Sequence, residues 1–121
     1  MLQSIGVRDI LSILEAEIVL DDGWLRDEVT TVYGSDLMSD ILSFSKPNAL
    51  LLTGLINPQT IRTAEMVEIA AICFIHGKHP HQDTLDLART NQIPLLCTKF
   101  SMFEACGRLY ALGSVPCKED A

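Results

Sequence analysis

From Val7 the apolar positions Val7, Ile10, Leu11, Leu14 and Ile18 recur at helical spacing, which predicts an amphipathic opening helix with one buried stripe. Asp21, Asp22 and Gly23 break that pattern. The Val- and Thr-rich stretch from Glu28 to Tyr33 then reads as a strand, and Glu17 to Leu20 has the length of a short strand as well.

Beyond Tyr33 the pattern becomes regular. Gly34, Ser35 and Asp36 form a turn with a good helix N-cap, and Leu37, Met38, Ile41 and Leu42 mark one face of a short helix that Pro47 and Asn48 end. Ala49 to Thr53 is a continuous apolar run of strand length, followed by Gly54, with Asn57 as N-cap and Pro58 at the first position of a helix reaching about Val67. Ala70 to Ile75 is a second such run, closed by His76, Gly77 and Lys78. Pro80 opens a helix carrying Leu85 and Ala88 inward, and Asn91 ends it. Ile93 to Cys97 is the last strand. After it, Thr98 or Ser101 caps a helix with the expected buried stripe Phe103, Cys106, Gly107 and Tyr110, stopped by Gly113.

Strands that alternate with helices and are apolar along their whole length predict a mostly parallel sheet with helices on both faces, a three-layer α/β/α class. Residues 1–113 make one domain on this reading, and Ser114 to Ala121 form a loose tail.

Composition narrows the function. A chain of 121 residues with 48% hydrophobic and 21% charged residues has the balance of a packed globule. No apolar run reaches the roughly 20 residues of a membrane span, and Met1 to Arg8 lacks the basic-then-apolar start of a secretory leader, so a cytoplasmic protein is expected. The net charge of -7, with nine Lys and Arg scattered along the chain, repels phosphate backbones and argues against nucleic acid as a partner. Cys73, Cys97, Cys106 and Cys117 show no close pair of the metal-site kind and read as reduced thiols, Cys117 the most exposed.

In parallel sheets ligands settle beyond the carboxyl ends of the strands, where loops and helix N-termini converge. The residues placed there are Gly34, Ser35 and Asp36; Thr53, Gly54 and Asn57; His76, Gly77 and Lys78; and Thr98 and Lys99. Their expected role is to bind an anionic or polar ligand through hydroxyls, backbone amides and the two lysines, with Gly54 and Gly77 allowing close approach. Taken singly, each is also what a loop or cap requires. His76, His79 and His81 stand close together, but no nearby Cys or carboxylate pair offers a clear further ligand, so no metal and no cofactor are expected. Neither a strained serine turn of the hydrolase type nor a phosphate loop occurs, which weakens an enzyme reading; convergence of Asp36, His76 and Lys78 is its remaining basis.

From Tyr33 onward the chain resembles the DRTGG domain family. The residues that carry the resemblance are Tyr33-Gly34-Ser35-Asp36-Leu37-Met38-Ser39-Asp40, Leu51-Leu52-Thr53-Gly54-Leu55, Gln59-Thr60-Ile61-Arg62-Thr63-Ala64-Glu65, His76-Gly77-Lys78 with Pro80, and Thr98-Lys99 with Phe103-Glu104-Ala105-Cys106-Gly107-Arg108-Leu109-Tyr110. The resemblance implies a fold similar to the N-terminal domain of HPr kinase and a non-catalytic regulatory role. That role is a homodimer sensing a nucleotide or a small phosphorylated metabolite. Its stand-alone members resemble proteins encoded near iron hydrogenases, which implies as the alternative an accessory interaction subunit of a redox enzyme, docking through the apolar residues of the last helix.

Overall fold

The computed structural model describes residues 4–113; the expected tail from Ser114, Cys117 included, lies outside the described residues. A five-stranded sheet is built from β2 (Glu17–Leu20), β4 (Thr31–Gly34), β5 (Ala49–Thr53), β6 (Ala71–Phe74) and β7 (Leu95–Cys97), in the order β2-β7-β6-β5-β4. The four strands β4 to β7 run parallel, and β2 lies antiparallel at the β7 edge. A separate two-stranded ribbon pairs β1 (Ile5–Gly6) with β3 (Glu28–Val29).

Side chains alternate across a strand, so a fully apolar strand feeds two cores. Leu50, Leu52, Cys73, Ile75 and Leu96 point to one face, where α1 (Val7–Ile13) and α5 (Met102–Leu112) bring Val7, Ile10, Ala105 and Leu109. Leu51, Ile72, Phe74 and Leu95 point to the other. There α2 (Met38–Phe44), α3 (Pro58–Met66) and α4 (Gln82–Asn91) add Ile41, Ile61, Ala64 and Ala88. The expected three-layer α/β architecture is what the chain adopts.

Local chemistry explains the boundaries. Asn57 accepts the Thr60 amide at 3.2 Å and Pro58 takes the first helical position of α3, while Ser101 accepts the Glu104 amide at 3.2 Å to start α5. Gly113 ends α5 at φ 98°, a left-handed stop that glycine tolerates at no steric cost.

Four expectations are corrected. The opening helix ends at Ile13 because Glu15 turns left-handed, at φ 48°; Ile18 therefore leaves the helical stripe and sits on β2 instead. The stretch from Glu28 to Tyr33 is two strands, since Thr30 gives its amide to the Asn48 carbonyl and separates β3, in the ribbon, from β4, in the main sheet. Pro80 does not open α4, which starts at Gln82 with His81 at its cap. On α5 the buried residues are Ala105 and Leu109, whereas Phe103 and Tyr110 are 89% and 74% exposed and Gly107 is exposed.

The phase of α5 has a physical cause. Gly34, at the end of β4, leaves room for Met102 and Cys106, whose sulfurs would lie 3.0 Å from a Cβ placed there. From the same helix the Arg108 guanidinium stacks 4.0 Å over the Phe100 ring and reaches the Ile13 carbonyl at 3.2 Å. These contacts turn Met102, Ala105, Cys106 and Leu109 inward, and Phe103 and Tyr110 outward.

Candidate ligand-binding rim

The parallel strands end along one edge of the sheet, and the hydrogen-bond ladder continues past them. Ser35 donates its amide to Leu52, Ile75 to Thr53, His76 to Phe100 and Gly77 to Thr98, at 2.8 to 3.1 Å. The candidate residues after β4, β5, β6 and β7 therefore share a rim, as their positions at strand ends require. Their side chains, however, do different things.

At the centre is a compact knot. Asp36 turns away from its own helix and presents Oδ1 to β5, accepting the Gly54 amide at 2.6 Å and the Thr53 hydroxyl at 3.1 Å. The buried Thr53 hydroxyl in turn accepts the Leu55 amide at 3.1 Å. Lys78 arrives from the turn after β6 and donates to the Gly54 carbonyl at 3.5 Å. Asp36 and Lys78 remain exposed to solvent. A Cβ on Gly54 would meet Asp36 Oδ1 and Lys78 Nζ, each at 3.4 Å, so glycine is what lets the two charges close over the same spot.

The other candidates are divided between structure and solvent. Ser35 accepts the Leu37 amide at 3.0 Å and so holds the turn into α2, whose cap position is Leu37. Asn57 is the α3 cap described above. The buried Thr98 hydroxyl donates to the Leu14 carbonyl at 2.5 Å and accepts the Phe100 amide at 3.3 Å, tying α1 to the sheet. Lys99 points to the α1–β2 turn, where it meets Glu15 at 3.0 Å and lowers that carboxyl below its ordinary value by hydrogen bonding and charge. His76 and Gly77 adopt left-handed conformations at φ 60° and 66°, which swings the chain out to Lys78. Gly34 lies beneath the two α5 sulfurs.

A solved structure with the same architecture contains the CBS and DRTGG domains of the regulatory region of Clostridium perfringens pyrophosphatase, complexed with diadenosine tetraphosphate. The two share a TM-score of 0.74 and 18% sequence identity over 93% of this chain and 48% of that chain. The fold is DRTGG-like. At that identity the likeness carries the fold, and the chain spans about half the length of the regulatory region it matches. No protein-family model matches the sequence, and a search of curated proteins returns no match.

The DRTGG-like fold brings together residues that the sequence reading kept apart. Glu17 on β2, Cys97 on β7 and His79 after β6 place one potential ligand atom each within 4.8 Å of the others. The expectation that the histidines had no Cys or carboxylate nearby is corrected by the antiparallel pairing of β2 with β7, which makes Glu17 and Cys97 register partners. Nothing in the helical spacing around Glu17 announces that pairing.

The remaining electrostatics of the DRTGG-like domain concern thiols. Burial, with Cys97 adding to it, pushes the Cys73 thiol up to about 12 from an ordinary 9.0. Between these values an unfolded chain releases a proton that the folded one retains, so this group subtracts stability as pH rises above 9.0. Burial raises Cys97 and Cys106 as well. A surface hollow of about 540 Å³ opens elsewhere, where the start of α1 meets residues 21–27. Since β2 runs from the rim at Glu17 to the opposite edge at Leu20, Asp21 and that hollow lie away from the knot. Among the described residues no helix is long and apolar enough to cross a membrane.

Proposed function

We propose that this domain is a non-catalytic regulatory module that binds a nucleotide at the strand rim. One observation carries the reading: an exposed carboxylate and an exposed ammonium, Asp36 and Lys78, close over the buried backbone of Gly54 at the junction of β4, β5 and β6. A nucleotide offers both complements. Its phosphates suit Lys78, and its ribose hydroxyls or base amine suit the free acceptor capacity of Asp36, the pairing used by carboxylates at ribose sites in other parallel sheets. Gly77, which is exposed and has open space where a Cβ would stand, admits a ligand close to the backbone. The Thr53 hydroxyl is buried and committed to Asp36, which suits holding a ligand better than attacking one. The complex of the similar pyrophosphatase regulatory region with diadenosine tetraphosphate supports a nucleotide over a simple anion.

Thermal unfolding with ATP, diadenosine tetraphosphate, acetyl phosphate and inorganic phosphate tests this. A ligand at about a hundred times its Kd adds about 2.7 kcal/mol, roughly 10 °C in Tm for a domain of this size. Such a shift is expected for a nucleotide with the native chain, and a shift of less than about half with Lys78→Met. Equal shifts for both chains, or none with any nucleotide, would refute the assignment.

A second reading rests on α5, whose Phe103 and Tyr110 stand exposed with Leu112 on the same helix. Exposed aromatics of this kind mark contact surfaces, and we assign this one to a second copy of the chain. Light scattering is expected to give about twice 13.3 kDa for the native chain and one copy for Phe103→Ser/Tyr110→Ser. A native monomer would turn the face over to another protein, such as the redox enzyme of the alternative reading.

A further inference from the structure

The strongest unassigned cluster lies at the β2 edge of the rim, and its three side chains are none of those invoked for the nucleotide. Glu17 begins β2 and Cys97 ends β7, directly across the antiparallel pair, where opposed side chains share a face. His79 comes to them from the turn after β6. Its Nε2 stands 2.6 Å from Glu17 Oε1 and its Nδ1 stands 3.1 Å from the Gly77 carbonyl, while Cys97 Sγ lies 3.3 Å from the Lys78 carbonyl. One oxygen, one nitrogen and one sulfur thus converge from three separate elements, within 4.8 Å of one another.

The imidazole has an acceptor at each nitrogen. A carbonyl can only accept, so Nδ1 keeps its hydrogen, and Nε2, facing a carboxylate, needs a positive species between them. That species is a proton or a metal ion. An Nδ1–H held by a backbone carbonyl, with Nε2 directed at other donors, is the orientation that metal-ligating histidines adopt.

We propose that Glu17 Oε1, His79 Nε2 and Cys97 Sγ bind one divalent transition-metal ion of the zinc class, with water in the fourth position. The thiol loses its proton to solvent on binding, and the carboxylate and thiolate then balance the charge of the ion. A thiolate and an imidazole select zinc-like ions and exclude magnesium and calcium, which take oxygen ligands. Bonds of about 2.0 Å to nitrogen and oxygen and about 2.3 Å to sulfur put tetrahedral ligands roughly 3 to 4 Å apart. Glu17 and His79 therefore separate by about 1 Å as the ion replaces their hydrogen bond, and side chains that are 63% and 58% exposed are free to do so. Burial and the Glu17 charge both disfavour the free thiolate of Cys97, a penalty that a cation between them relieves. Bound there, the ion clamps the edge strand to the loop that carries Lys78.

Cobalt titration of the full chain, kept reduced with a non-thiol reductant, tests the site. The native chain is expected to bind one Co²⁺ with a thiolate-to-metal charge-transfer band in the near ultraviolet, displaced by Zn²⁺. Cys97→Ser should lose the band. His79→Ala, a change at an exposed position, should keep the native circular dichroism and weaken binding more than about tenfold. Absence of the band from the native chain overturns the proposal, and so does a band of full strength in either variant.

Discussion

Phe74→Ala is expected to lower the stability of the domain by about 3 to 5 kcal/mol. Phe74 ends β6, an interior strand with parallel neighbours on both sides, and its ring is 0% exposed in the core that the sheet shares with helices α3 and α4. Removing it takes away the transfer energy of the ring and leaves a cavity that two flanking strands and a helical layer cannot collapse into. Domains hold about 5 to 15 kcal/mol in all, so the variant unfolds at a much lower urea concentration. Met66→Ala is the control. That side chain, at the end of α3, is 72% exposed, and its loss should change stability by no more than about 0.5 kcal/mol. Urea midpoints for the pair check the burial assigned to each residue; equal losses would contradict it.

Leu14→Ala is expected to cost about 2 to 5 kcal/mol, an effect that bears on a different question. Leu14 caps the end of α1, is 0% exposed, and packs with Ile10, Leu96 and Leu109 in the core shared with α5. Its carbonyl accepts the buried Thr98 hydroxyl, so side chain and backbone both fix the opening segment to the rim end of β7. A loss of this size, with one cooperative transition, shows that α1 and β2 belong to the same folding unit as the parallel strands. A loss below about 1 kcal/mol, or a separate early transition, would make the opening segment an appendage.

These two residues also mark how far the sequence could be read. The parallel strands were legible because Ala49 to Leu52 and Ala70 to Ile75 are apolar without interruption, which few structures other than a strand buried on both faces require. The rim was legible for the same reason, since strand ends follow from strand limits. The opening segment was ambiguous: Ile18 fits both a helical stripe and a strand, and only the left-handed turn at Glu15 decides for the strand. The phase of α5 was misread because large apolar residues surround the helix, and what turns Ala105 inward is the space above Gly34 and the stacking of Arg108 on Phe100.

At the rim, sequence named the residues and not their directions. Asp36 belongs by sequence to the turn that opens α2, yet its carboxylate reaches across to β5, a choice set by the amide of Gly54 and the hydroxyl of Thr53. Thr98 looks like a ligand donor, and its hydroxyl is buried against the Leu14 carbonyl. Hydroxyls and carboxylates at strand ends have several local partners of similar strength, and tertiary position selects among them. The grouping of Glu17, His79 and Cys97 depends on a long-range strand pairing and has no local pattern to betray it.

The central claim is that a nucleotide binds over Gly54 between Asp36 and Lys78. Amide chemical shifts of the isotopically labelled chain, followed during titration with diadenosine tetraphosphate, test it most directly. Saturable changes centred on Asp36, Gly54, Leu55, Gly77 and Lys78 are the expected result. Changes confined to the start of α1 and residues 21–27, or no changes at all, would contradict it.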